Sequence, residues 1–152
     1  VFMDVNLRPP WWDRDQLIRL LARADYVKIN DAELDMLVNG PDDLQTKAAG
    51  LLQRHRLKWV IVTLGAKGAL ALADDGSTHT TAPPAKIPVV DTVGAGDAFA
   101  SVCILGQLRD WPLAQTLERA QQFASLLVGQ RGATIPDLAT YQPYLQAWQL
   151  TQ

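Results

Sequence analysis

A chain of 152 residues is about one domain in length, enough to bury a real core. Its 48% hydrophobic and 20% charged residues are ordinary for a globular protein, and a net charge of -2 with no basic run excludes the basic stripe of a nucleic-acid binder. No apolar run approaches the ~18 residues of a membrane span, and the lone Cys103 permits no intrachain disulfide, which fits a reducing, cytoplasmic compartment.

Val1 to Val5 reads as a strand with no turn before it, no initiator Met and no signal-peptide pattern, as in a piece of a longer chain. A Pro9-Pro10 turn follows. Asp13 then caps a helix whose Leu17, Leu20, Leu21 and Ala24 recur at helical spacing. Tyr26 to Ile29 is a short strand, and Asn30 is an N-cap for a helix through Leu34 and Leu37. Gly40-Pro41 ends that helix, and Asp42 or Asp43 starts another that runs to about His55. The apolar run Trp59 to Leu64 predicts a central parallel strand buried on both faces. Gly68 to Leu72 and Ser77 to Ala82 form a hairpin around Asp74-Asp75-Gly76, and Ile87 to Val90 is a further strand. Helices are predicted from about Ala95 to Leu108, Leu113 to Val128 and Tyr141 to Trp148. Strands alternating with helices indicate an α/β fold in a single unit spanning residues 1–152: a mostly parallel sheet flanked by helices on both faces.

Between the last predicted strand and the long helix lies Asp91-Thr92-Val93-Gly94-Ala95-Gly96-Asp97. Strand, glycines, helix is a phosphate-binding order, because unpaired amides at a helix N-terminus face an anion. A P-loop would need G-x-x-x-x-G-K-[ST], which is absent. A dinucleotide fingerprint would need a glycine where Phe99 stands, and Asp97 would repel the pyrophosphate. In a third arrangement the amides of Ala95, Gly96 and Asp97 form an anion hole, and the Asp97 carboxylate takes the proton of an attacking hydroxyl. Asp97 equally suits the first turn of a helix as a plain dipole partner.

The whole string, followed by Ala98-Phe99, resembles the C-terminal signature of the ribokinase-like (PfkB-type) sugar kinases. The resemblance implies a ribokinase-like fold, ATP and Mg²⁺, Asp97 as catalytic base, and an anion hole at Gly94, Ala95 and Gly96. Asn30-Asp31-Ala32-Glu33 is similar to the family's N-x-x-E motif, in which Asn30 and Glu33 would organise Mg²⁺ largely through water. The same residues also make an ordinary capping box. Thr63-Leu64-Gly65-Ala66-Lys67-Gly68 is similar to the T-x-G-x-x-G segment, which implies nucleotide contacts from Thr63, Gly65, Lys67 and Gly68; Lys67 equally suits a solvated loop. Gly132 in Gln130-Arg131-Gly132-Ala133-Thr134 matches the late turn beside the adenine, and carbonyls of Asp91, Val93 and this turn would hold K⁺. Phe123 and Ala124 would line the adenine pocket, or serve the core.

Asp4-Val5-Asn6-Leu7-Arg8-Pro9 resembles the D-x-N-x-R-P segment of fructokinases and 2-keto-3-deoxygluconate kinases, which places Asp4, Asn6 and Arg8 near the sugar or its phosphate. Arg8 also suits a surface ion pair with Asp4 or Asp13. The resemblance covers only the C-terminal half of such an enzyme, without the N-terminal half and its lid, through which relatives dimerise. It implies ATP-dependent phosphorylation of a sugar hydroxyl, fructose first, with 2-keto-3-deoxygluconate or another family sugar as the alternative. A dinucleotide oxidoreductase and an inactive nucleotide-binding fragment are the competing classes.

Overall fold

Five consecutive residues, Trp59–Thr63, form the middle strand of the sheet, and their neighbours on either side determine the layout. The computed structural model describes residues 1–84 and 89–150. In chain order the elements are β1 (Phe2–Asp4), α1 (Arg14–Leu21), β2 (Tyr26–Asn30), α2 (Asp31–Leu37), α3 (Leu44–His55), β3 (Trp59–Thr63), β4 (Ala69–Ala73), β5 (Thr78–Thr81), α4 (Ala95–Leu108), α5 (Leu113–Val128) and α6 (Gln142–Ala147). The sheet runs β1-β2-β3-β4-β5 in space. β1, β2 and β3 are parallel, with Asp4 opposite Lys28 and Asn30 opposite Thr63. The hairpin adds two antiparallel strands, so the sheet is mixed, parallel through β3 and antiparallel beyond it. Helix crossovers are needed to return a parallel strand, whereas a tight turn suffices for β4 and β5.

Period two in the strands divides the core. Val27, Ile29, Val60, Val62, Leu70 and Leu72 face α1, α2 and α3, where Leu17, Leu21, Leu34, Leu51 and Leu52 meet them. Trp59, Ile61, Ala69 and Ala71 face the opposite way, onto Phe99, Val102 and Cys103 of α4 and Leu117, Ala120 and Ala124 of α5. β3 is therefore buried on both faces, as its unbroken apolar run predicts.

The helix starts are those read from the sequence. Asp13 Oδ1 accepts from the Gln16 N–H at 2.8 Å, and Asp43 Oδ1 accepts from the Thr46 N–H at 2.8 Å. The strand expected at Ile87–Val90 falls partly on residues 85–88, outside the described residues. Val89 and Val90 belong to no strand; instead the Val90 and Asp91 N–H groups donate to the Val128 carbonyl at 2.9 and 3.2 Å, tying the glycine loop to the end of α5. Among the described residues no helix is long and apolar enough to cross a membrane.

Candidate active site

The glycine loop enters α4 through Gly94, whose φ of +82° is left-handed backbone that glycine adopts without strain. A Cβ there would also lie 2.7 Å from the Cα of Ala133, so the late glycine-alanine turn packs directly on the loop. The Asp91 carboxylate holds the same two segments together. It accepts from the Val93 N–H at 3.0 Å and the Gly132 N–H at 3.1 Å, and these bonds keep its pKa below the usual carboxylate value. Asp91, Val93 and Gly132 are thus neighbours.

Of the three amides expected to form an anion hole, one is spent: Ala95 N–H donates to the Thr92 carbonyl at 3.3 Å. The N–H groups of Gly96 and Asp97 have no acceptor among the described residues, since the helix ladder begins with Ala98 N–H to the Gly94 carbonyl at 2.8 Å. The Asp97 side chain is exposed beside them. A Cβ on Gly96 would meet only the Nζ of Lys28, at 3.7 Å, so this glycine leaves open space in front of the helix.

Lys28 received no role from the sequence. It is 6% exposed, on the α4 face of the sheet, and its Nζ donates to Asp4 Oδ1 at 2.8 Å across the β1–β2 register. Its signal was available: it is the one charge inside the apolar strand Tyr26–Ile29, and a charge there needs a partner. Burial raises the Asp4 pKa; the Lys28 ammonium opposes that shift, and the charges of Asp97 and Glu33 reinforce it. Asp4 is thus the carboxylate paired with the buried Lys28, whose Nζ also faces Gly96.

Glu33 is 7% exposed and both its oxygens are engaged. Oε2 accepts from the Asn30 N–H at 3.0 Å while Asn30 Oδ1 accepts from the Glu33 N–H at 2.8 Å, a complete capping box. Oε1 reaches back to the Leu7 N–H at 2.9 Å, clamping the segment after β1. Asn6 and Arg8 flank that clamp and are exposed. Arg8 makes no ion pair among the described residues, because Asp4 is taken by Lys28 and Asp13 by its helix cap. Among the described residues no three His, Cys, Asp or Glu side chains converge on a metal.

Between the α4 N-terminus and α5 lies a cavity of about 630 Å³, a size suited to a small organic ligand. Thr63, Gly65, Ala66 and Gly68 line one side and Ala95, Gly96 and Phe99 another. α5 contributes Gln121, Ala124, Ser125 and Val128, the i, i+3, i+4, i+7 stripe of a single helix face. Three of the expected nucleotide contacts, Phe123, Lys67 and Gly132, are not part of this wall, Gly132 lying instead against Asp91. Phe123 is on a neighbouring face of α5 and stacks edge-on against Tyr144 at 5.6 Å and Trp148 at 6.1 Å. Lys67 is exposed in a 3-10 turn and is not part of the wall.

The family model described as pfkB family carbohydrate kinase matches residues 1–140. The chain belongs to that family. This pfkB-family chain is 32% identical to fructokinase-1 of Zea mays over 94% of its own length and 47% of the relative's. It is 34% identical to a fructokinase of Salmonella thompson, over 88% of the chain and 64% of the relative. Its backbone is similar to aminoimidazole riboside kinase from Salmonella enterica, solved with aminoimidazole riboside and an ATP analog, with a TM-score of 0.76, 29% identity, and coverage of 95% of this chain and 51% of that one. The chain spans about half the length of the curated relatives it matches.

Proposed function

We propose that this chain is the nucleotide-binding and catalytic half of an ATP-dependent kinase that phosphorylates a sugar hydroxyl, with fructose as the first candidate. The observation that carries this reading is the α4 N-terminus: two unspent amides, at Gly96 and Asp97, in a first turn that also walls the cavity, with an exposed carboxylate on the second of them. The exposed Asp97 carboxylate takes the proton of the sugar hydroxyl as it attacks the terminal phosphoryl group. The Gly96 and Asp97 amides hold the charge on that group. The Lys28 ammonium behind Gly96, with N–H donors beyond the one given to Asp4, adds positive potential to the same spot.

Mg²⁺ on the nucleotide phosphates would neutralise their charge. The donor set fits outer-sphere holding: each Glu33 oxygen has accepted one amide and retains lone-pair capacity for a metal-bound water, with Asn30 beside it. Carbonyls of Asp91, Val93 and the Gly132 turn would hold K⁺, in segments that the Asp91 carboxylate ties together through the Val93 and Gly132 amides. Fructose is favoured by the fructokinase relatives. Arg8, exposed and without an ion pair among the described residues, keeps a sugar acid, 2-keto-3-deoxygluconate, as the alternative substrate, because a guanidinium fork suits a carboxylate. The half-length span favours a second reading, nucleotide binding without turnover by the isolated chain.

Thermal melting separates the classes. Mg-ATP at ten times its Kd should stabilise the chain by about 1.4 kcal/mol, a rise of about 3–6 °C, and NAD should not. Protection by NAD alone would overturn the kinase reading. ATP consumption with fructose against 2-keto-3-deoxygluconate, by the polypeptide that carries this chain, then assigns the sugar; no turnover at saturating fructose would eliminate the first candidate.

A further inference from the structure

A second, more open cavity of about 500 Å³ lies at the other end of the sheet. Tyr26 and Trp59, register partners at the start of β2 and β3, both line it. Thr63, in the wall of the first cavity, is four residues further along β3, about 13 Å away. The last turn of α4 contributes Gln107, and the entry to α5 contributes Trp111. The β4–β5 turn adds Asp74, Asp75 and Ser77. None of these side chains has a part in the phosphoryl chemistry.

The aromatic lining is held in place before any ligand arrives. Trp111 is half-buried, with the Arg119 guanidinium over its ring at 4.0 Å and Trp148 edge-on at 5.8 Å. Tyr26 is fixed against Trp59 at 5.1 Å, with Lys58 Nζ 5.5 Å from its ring centre. Such preorganisation lowers the cost of binding. The polar rim carries both signs of charge. Lys58 and Asp74 line the cavity, and neither forms an ion pair among the described residues. The Asp75 carboxylate, which accepts from the Ser77 N–H at 2.8 Å, adds a second negative charge. Gln107, Ser77 and His79 supply further donors and acceptors. An anion would be repelled by Asp74 and Asp75, and an organic cation by Lys58. A neutral polyol meets neither penalty. Its hydroxyls donate to the carboxylates and accept from the ammonium and amide, while the C–H face of a sugar ring covers an aromatic surface.

We propose that this cavity is a second binding site, for a neutral, hydroxyl-rich ligand of monosaccharide size. Titration of the chain with D-glucose, D-glucuronate and D-glucosamine at about pH 7, where most of the amine is protonated, tests it. The three probes share a ring and differ in charge. The readouts are the NMR signals of the Trp111 indole N–H and of the Gly96 amide in the first cavity. Glucose should move Trp111 along a saturating curve, with a Kd of about 10 mM or tighter, and bind at least about threefold tighter than either charged sugar. Asp74→Asn and Lys58→Gln, both at exposed positions, should each weaken glucose about fivefold. The first should also shift preference about threefold toward glucuronate over glucosamine, and the second about threefold the other way. No saturation at Trp111 with glucose, tighter binding of a charged sugar by the wild type, or glucose affinity unchanged in both variants overturns the inference. So does a glucose response confined to Gly96, which would put the sugar in the first cavity. None of these outcomes bears on the kinase reading, which Mg-ATP binding tests separately.

Discussion

One sheet presents two very different faces from alternate residues of the same strands. Toward α1–α3 it offers Val27, Ile29, Val60, Val62, Leu70 and Leu72, branched aliphatics that fill the space to the helices. Toward α4 and α5 it offers the aromatics Phe2, Tyr26 and Trp59 in one register row, and Asp4, Lys28, Ile61, Ala69 and Ala71 in the rows nearer Thr63 and the cavity. The cavity, the buried ion pair and the unspent amides all belong to this second side. The difference teaches where stability and chemistry are placed: large apolar groups close one layer completely, while on the other the aromatics fill one end and small groups toward the opposite strand ends leave volume that polar groups can line.

That contrast can be broken from either side. The largest expected effect is on chemistry. Asp97→Asn in the polypeptide that carries this chain should cut sugar phosphorylation about 10²- to 10⁴-fold with Mg-ATP affinity retained, the loss ascribed to a general base. Phosphorylation at near wild-type rate would remove Asp97 from the mechanism. On the opposite face, Leu34→Ala should cost about 2–5 kcal/mol in urea unfolding, the range for a fully buried leucine, and leave the nucleotide affinity of the folded fraction alone.

Lys28→Met probes the polar side at intermediate size. A buried pair that loses one partner can cost about 3–5 kcal/mol, but Asp4 is partly open to solvent, and screening reduces this to about 1–2 kcal/mol. The loss should depend on pH in a particular sense. The folded pKa of Asp4 is raised, so its protonated form favours folding, and stability is lost as pH climbs through that folded value. Without the ammonium the pKa rises further, and the urea midpoint of the variant should fall more than that of the wild type between pH 4 and pH 7, to be measured by paired denaturation curves.

The smallest effect is at Asp91. Its folded pKa is lowered by the Val93 and Gly132 amides, so its contribution is present above the ordinary carboxylate value of about 3.9 and is lost as pH falls through the folded one. Asp91→Asn should flatten the melting temperature profile below pH 4 relative to the wild type; an identical profile would sever the link between the glycine loop and the late turn.

Much of this was legible in the residues. Helix caps at Asp13, Asn30 and Asp43 are local events, decided by a side-chain oxygen three residues from the amide it accepts. The hairpin and the doubly buried β3 follow from period and turn chemistry in a short window. The seven-residue loop carried its own identity because a tight turn, close approach and a carboxylate must be consecutive to act together. Asp97 was therefore readable as a carboxylate at the helix start, where it is exposed, and Ala124 lies in the cavity wall. Phe123, read as pocket lining or core, packs with Tyr144 and Trp148 because adjacent residues on a helix diverge by about 100°, and the sequence does not mark which stripe faces the cavity. Glu33 was readable as a cap but not as the clamp on Leu7, a partner 26 residues away.

By itself, then, the sequence determined the elements, their ends, the family signature and the residue types that the proposed phosphoryl transfer draws on. Only the tertiary structure decided which of those residues meet. Asp4 reaches Lys28 because β1 and β2 pair in parallel register, Gly132 reaches Asp91 because the late turn packs on Gly94, and Gln121 joins the cavity because α5 turns that face inward. Each is a contact between distant parts of the chain, and such contacts arise from packing rather than from any local run of residues.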